Sequence, residues 1–164
     1  MPMSELFPYG KTIAAVMKHR GETDAAHLDK NIDAILTEKV EKKGMAALTQ
    51  EERNVYLVQA MNREVNSGGF ELFFHSAAGA FAPELVTALG VLGLPVNQTI
   101  AAQALLRFGM PPSWSDEDRR RHLDEITLCG GNLWERLDEA YYEFPEMIEE
   151  KILDYIAAHE DQFE

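Results

Sequence analysis

A single cysteine, Cys129, leaves no partner for a disulfide within the 164 residues. Metal-ligand spacing is missing as well. His19, His27, His75, His122 and His159 sit in separate segments and never form the paired spacing of a helical metal site. Glu71 with His75, and His122 with Glu125, each lie one turn apart, but two ligands do not make a site. Basic residues are scarce, 15 Lys and Arg against 28 Asp and Glu, for a formal charge of -13. A deficit of that sign argues against direct binding of nucleic acid, since phosphate contacts need clustered Lys and Arg. No apolar run approaches membrane-spanning length, and polar residues interrupt every apolar stretch between Met1 and Gly21, so no signal-peptide core is present. The expectation is a protein of the reducing cytoplasm, with no cofactor and no metal. Strand-like alternation, repeat periods and low-complexity segments are also missing.

What is present points to helices. Hydrophobic content of 46% with 26% charged residues is ordinary for a folded chain, and the length suits one sizeable core. The fold expected is all-α, a single domain of about seven to eight helices over residues 1–164, with N-terminal helices in 1–48 and a helical core in 49–164 that ends in acidic helices.

The charge is unevenly spread. Residues 1–48 hold seven acids and seven bases, residues 49–115 hold five and three, and residues 116–164 hold sixteen and five, giving 0, -2 and -11. Acidity is therefore a C-terminal property.

The strongest local signals run from Thr49 to Phe81. Thr49 with Glu52 three residues on reads as a capping box, in which each side chain satisfies the other's backbone N–H. Val55, Leu57, Val58, Met61 and Val65 then give an apolar face from Glu51 to Val65. Gly68 and Gly69 stop that helix, because glycine reaches positive φ without steric cost. Phe70, Phe73, Phe74 and Phe81 follow at once and carry the largest apolar area in the chain.

The remaining segments read in order. Ile13, Ala14, Val16 and Met17 mark a short helix within Lys11 to Arg20. Thr23 or Asp24 caps a second, with Leu28, Ile32, Ile35, Leu36 and Val40 at helical spacing, ending near Gly44. Pro83 opens a helix to about Val91, and Gly93 and Pro95 break it. Asn97 caps the next, with Ile100, Ala101, Ala104, Leu105 and Phe108. Gly109-Met110-Pro111-Pro112 forms a linker beside Trp114. Ser115 and the acids after it start another helix. Its Arg119, Arg120 and Arg121 could suggest a phosphate patch, but consecutive helical positions diverge, so three such side chains do not converge on one anion. Gly130-Gly131-Asn132 is a turn and not a nucleotide cradle. Trp134, Leu137, Ala140 and Tyr141 face inward on the next helix, and Pro145 opens the last, lined by Ile148, Ile152, Tyr155, Ile156 and His159.

Glu64-Val65-Asn66-Ser67-Gly68-Gly69-Phe70-Glu71-Leu72-Phe73-Phe74, with Arg53-Asn54-Val55-Tyr56 before it and Ala82-Pro83-Glu84 after it, resembles a family of small bacterial helical proteins, the DNA-mimic protein 19 family. The similarity extends through Leu137-Asp138-Glu139-Ala140-Tyr141-Tyr142 and Phe144-Pro145-Glu146, covering about Thr49 to the C-terminus. Ser67 and His75 stand where asparagine is usual. The resemblance implies an acidic, non-enzymatic protein that imitates duplex DNA, binds a helix-turn-helix regulator and forms a homodimer.

Spacing supplies a physical route to such mimicry. Glu135, Asp138, Glu139, Glu143, Glu146, Glu149, Glu150 and Asp154 recur at three- and four-residue intervals over two expected helices, which places neighbouring carboxylates about 5–6 Å apart at Cβ. These eight are the expected partner-binding acids, and reversing Glu146 and Glu150 to lysine is expected to abolish binding without cost to stability. Glu64, Asn66, Gly68, Gly69 and Phe70 are expected to shape the turn. Two other classes stay open: an enzyme or small-ligand protein using the turn from Glu64 to His75, and an adaptor with no mimic role.

Overall fold

A computed structural model describes residues 3–109, 115–128, 131–143 and 145–163, with the side chains of residues 3 and 4 excluded. The expected linker at Met110-Pro111-Pro112, and Trp114, Cys129, Gly130 and Phe144, lie outside the described residues. Among the described residues every regular element is helical, apart from a lone bridge between Arg20 and Thr23, so the fold is all-α. The α-helices are α1 (Met3–Leu6), α2 (Ile13–Met17), α3 (Ala25–Lys43), α4 (Gln50–His75), α5 (Ala82–Val91), α6 (Pro95–Phe108), α7 (Asp116–Leu128), α8 (Glu135–Glu143) and α9 (Ile148–Ala158). They sort into two compact units, Met1–Tyr56 with Met147–Glu164, and Leu57–Glu146.

In the first unit, α3 packs against α2 and α9 over a core of Ile13, Val16, Leu28, Ile32, Leu36, Ile152 and Ile156. Asp24 caps α3 by accepting the Ala26 N–H at 2.9 Å. The capping box forms at the start of α4: the Glu52 N–H donates to Thr49 Oγ1 at 3.1 Å, and the Thr49 N–H donates to Glu52 Oε1 at 2.9 Å. The Thr49 hydroxyl also donates to the Gln162 carbonyl at 3.0 Å, tying the cap to the C-terminal segment. Buried Asn31 accepts from the Tyr9 N–H and donates to the Gly10 carbonyl, which fastens the loop before α2. Helix α9 starts at Ile148, with Pro145 outside it, so Glu146 is not on a helical row with Glu149 and Glu150.

In the second unit, α5 and α6 pack closely and α6 also meets α8. Phe74 is the centre of its aromatic cluster, stacked on Phe108 at 4.6 Å between ring centroids and tilted against Trp134 at 5.2 Å. Each such fully buried ring contributes about 1.5–3 kcal/mol relative to exposure. The Trp134 indole N–H donates to the Ala104 carbonyl at 3.0 Å, so its polar edge is satisfied in the core. Helix α6 begins at Pro95, two residues before the expected cap; Asn97 is buried in its first turn, and its N–H is satisfied by Glu146 at 2.6 Å.

Of the three arginines of α7, Arg119 and Arg120 both reach the C-terminal end of α4, and Arg121 does not. Arg119 is fully buried and donates to the Phe74 and Ser76 carbonyls, each at 2.8 Å, and to Asp116 at 2.8 Å. It thereby satisfies carbonyls left unpaired where α4 ends. Arg120 donates to the His75 carbonyl at 3.1 Å, and Arg121 pairs with Asp118.

No single helix among the described residues is long and apolar enough to cross a membrane. One bent pair, Gln50–His75 with Ala77–Val91, passes by length and composition, at an angle of 68°.

Candidate functional site

The glycine pair ends the first helical stretch of α4, as the sequence predicts, and a second stretch follows directly. Gly68 (φ -161°, ψ 20°) and Gly69 (φ 75°, ψ -173°) leave helical geometry, and the helix resumes at Phe70. Gly69 occupies a region of backbone space that is essentially closed to other residues. A break of this kind orphans amides on one side and carbonyls on the other, and in a buried setting each orphan must find a partner.

Helix α8 supplies both partners. Asp138 Oδ1 accepts the buried Phe70 N–H at 2.9 Å, acting as an N-cap for the resumed helix, where a carboxylate also complements the helix dipole. One turn later, the Tyr142 hydroxyl donates to the Val65 carbonyl on the other side of the break. Asp138 Oδ2 accepts from Asn132 Nδ2 at 3.2 Å, which steadies the carboxylate. The fit is close: a Cβ on Gly69 would lie 2.3 Å from Asp138 Oδ2. The Tyr141 hydroxyl donates to Asn62 Oδ1 nearby. Tyr142 titrates above the ordinary phenol value of 10.0, chiefly because its hydroxyl has lost water and secondarily because the Asp138 charge opposes ionisation.

The polar residues of the turn bond locally. Asn66 Nδ2 donates to the Asn62 carbonyl at 2.7 Å and to Asn62 Oδ1 at 2.9 Å, the Ser67 hydroxyl donates to the Arg63 carbonyl at 2.9 Å, and Glu64 pairs with Arg63 at 3.3 Å. His75 is exposed. Glu64, Asn66 and His75 thus gather around no common point through these bonds. Among the described residues, no group of three His, Cys, Asp or Glu side chains is placed to hold a metal ion.

The eight expected partner-binding acids divide between the two units and between two kinds of environment. In the second unit, Glu135, Glu139 and Glu143 are exposed and follow one stripe of α8. Asp138 does not join them: it is 8% exposed and turned inward onto the α4 break. Its position could have been read from the sequence, since Trp134, Leu137, Asp138 and Tyr141 follow the i, i+3, i+4, i+7 pattern of an inward face. Glu146 is half-buried and capping α6. In the first unit, Glu149 is half-buried on α9, while Glu150 and Asp154 are exposed but both face Arg20, which donates to Asp154 and stands 3.6 Å from Glu150.

An all-α acidic protein with a core helix broken at a glycine pair, the break held by an aspartate and a tyrosine one turn apart, is the class that fold and site define. Residues 46–159 match the model of the DMP19-like protein family, and the chain belongs to that family. Neither the curated proteins nor the solved structures contain a match to the chain.

Proposed function

We propose that this protein is a non-enzymatic interaction protein of the cytoplasm, a DNA mimic that occupies the basic face of a DNA-binding transcriptional regulator such as a helix-turn-helix protein. Family membership supports the reading, and the exposed stripe of Glu135, Glu139 and Glu143 carries it. Successive members of that stripe are separated by one turn, about 6 Å of helix rise. One strand of duplex DNA places a phosphate about every 3.4 Å along its axis, so the stripe follows roughly every second phosphate. The first unit has exposed acids of its own, Glu150 and Asp154 on α9, whose charge Arg20 partly offsets.

The inward partners of α8 suit this role. A row of like charges repels itself, and Trp134, Leu137 and Tyr141 packed beneath fix it in register. A homodimer would present two such rows to a dimeric regulator that reads two half-sites. Binding should weaken as salt rises, because exposed charges are screened beyond about 8 Å at physiological ionic strength.

The test is capture from host lysate on the immobilised protein at low salt, with elution by duplex DNA. Release of a nucleic-acid-binding protein by DNA is the expected result. A retained partner that DNA does not displace would contradict the reading.

A further inference from the structure

We propose that a cleft in the first unit binds a small amphipathic carboxylate, at a site separate from the acidic helices. The cleft has a volume of about 340 Å³ and is lined by Lys11, Lys39, Lys42 and Lys43 with Phe7 and Ile35. That volume is at the lower end of the range for small-molecule pockets, about 300–1,000 Å³.

Its charge runs against the rest of the molecule. Four lysines face only two carboxylates, Glu38 and Glu52, in a protein whose formal charge is -13. Those carboxylates have partners. Glu52, 2% exposed in its side chain, accepts from Lys39 at 3.1 Å, and Glu38 pairs with Lys42. Lys11 and Lys43 are exposed and have no carboxylate partner among the described residues.

Lys42 and Lys43 also sit in the last turn of α3, where cations complement the helix dipole. That accounts for their presence on α3. It does not account for Lys11, which comes from the loop before α2, nor for the apolar wall of Phe7 and Ile35. A lining that combines lysines with apolar side chains fits a ligand with an anionic head and a short apolar body. Of the residues lining the cleft, only Glu52 falls within the family match over 46–159, so the site is built almost wholly from the N-terminal segment that precedes the match.

The test uses the full chain and decanoate as probe, titrated calorimetrically below its micellar concentration, with decanol as the uncharged counterpart. The double variant Lys11→Glu/Lys43→Glu should weaken decanoate binding about tenfold or more, while the unfolding midpoint falls only by the small loss of a favourable cation at the end of α3. Decanol should bind weakly and equally to both proteins. Decanoate binding that is unsaturable, or equal in the variant, would overturn the assignment. So would retention on anionic phospholipid vesicles without uptake of free decanoate, which would point to a membrane surface instead.

Discussion

At Gly69 a single backbone conformation decides whether α4 can break where it does. Its φ of 75° with ψ of -173° excludes other residues, and the space a side chain would need is filled by Asp138. Gly69→Ala should therefore lose about 1–3 kcal/mol from backbone strain alone, with the displaced carboxylate adding to it, measured as a shift in the urea midpoint. Tyr142 makes a different demand. Its raised pKa means that the folded protein holds the phenolic proton more tightly than the unfolded chain does. Its contribution is therefore complete below the unfolded value of about 10 and is lost as pH rises through the folded value. Urea unfolding between about pH 9 and pH 11 should show stability falling with pH, and Tyr142→Phe should flatten that fall while costing about 0.5–1.5 kcal/mol at neutral pH through the lost hydrogen bond to Val65.

At the scale of elements, local signals were the legible ones. The capping box at Thr49 and Glu52 needs only residues three apart, and it forms as the sequence predicts. Thr49→Ala should cost about 0.5–2 kcal/mol in thermal or denaturant unfolding, since it removes the N-terminal cap of α4. The glycine pair was equally visible as an end to the first apolar face, but the resumption of the helix at Phe70 was not. That resumption depends on Asp138, 68 residues away, supplying the acceptor that the broken ladder lacks. Helix α8 shows the same limit from the other side. Its acids look alike in a list of charges, yet Asp138 sits on the stripe of Trp134, Leu137 and Tyr141, and Glu135, Glu139 and Glu143 do not. Reading periodicity by face separates them; counting acids does not. Glu146 was misplaced because Pro145 suggested a helix start that falls at Ile148 instead. Lysine at Glu146 would uncap α6, so a charge reversal there tests stability along with binding.

For the whole molecule, composition announced an acidic protein and helical periodicity an all-α one, and the concentration of -11 in residues 116–164 is plain in the sequence. The grouping of α9 with the first 56 residues was not, because nothing local in Met147–Glu164 identifies Leu28, Ile32 and Leu36 as the residues of its unit's core. The consequence is that the expected acidic face does not belong to one unit: α8 carries its row in one and α9 its acids in the other. The α8 row is thus the sharpest target. Glu135→Lys/Glu139→Lys/Glu143→Lys alters only exposed side chains, at about 0.3–1 kcal/mol for Glu135 in the first turn of α8 and usually less than about 0.5 kcal/mol for each of the other two. The decisive measurement is capture of DNA-displaceable partners from host lysate by the wild-type protein and by this triple variant, with unfolding midpoints measured in parallel. Mimicry through α8 predicts that the variant keeps a near-normal midpoint and loses the partner; a variant that still retains a partner released by duplex DNA would contradict it.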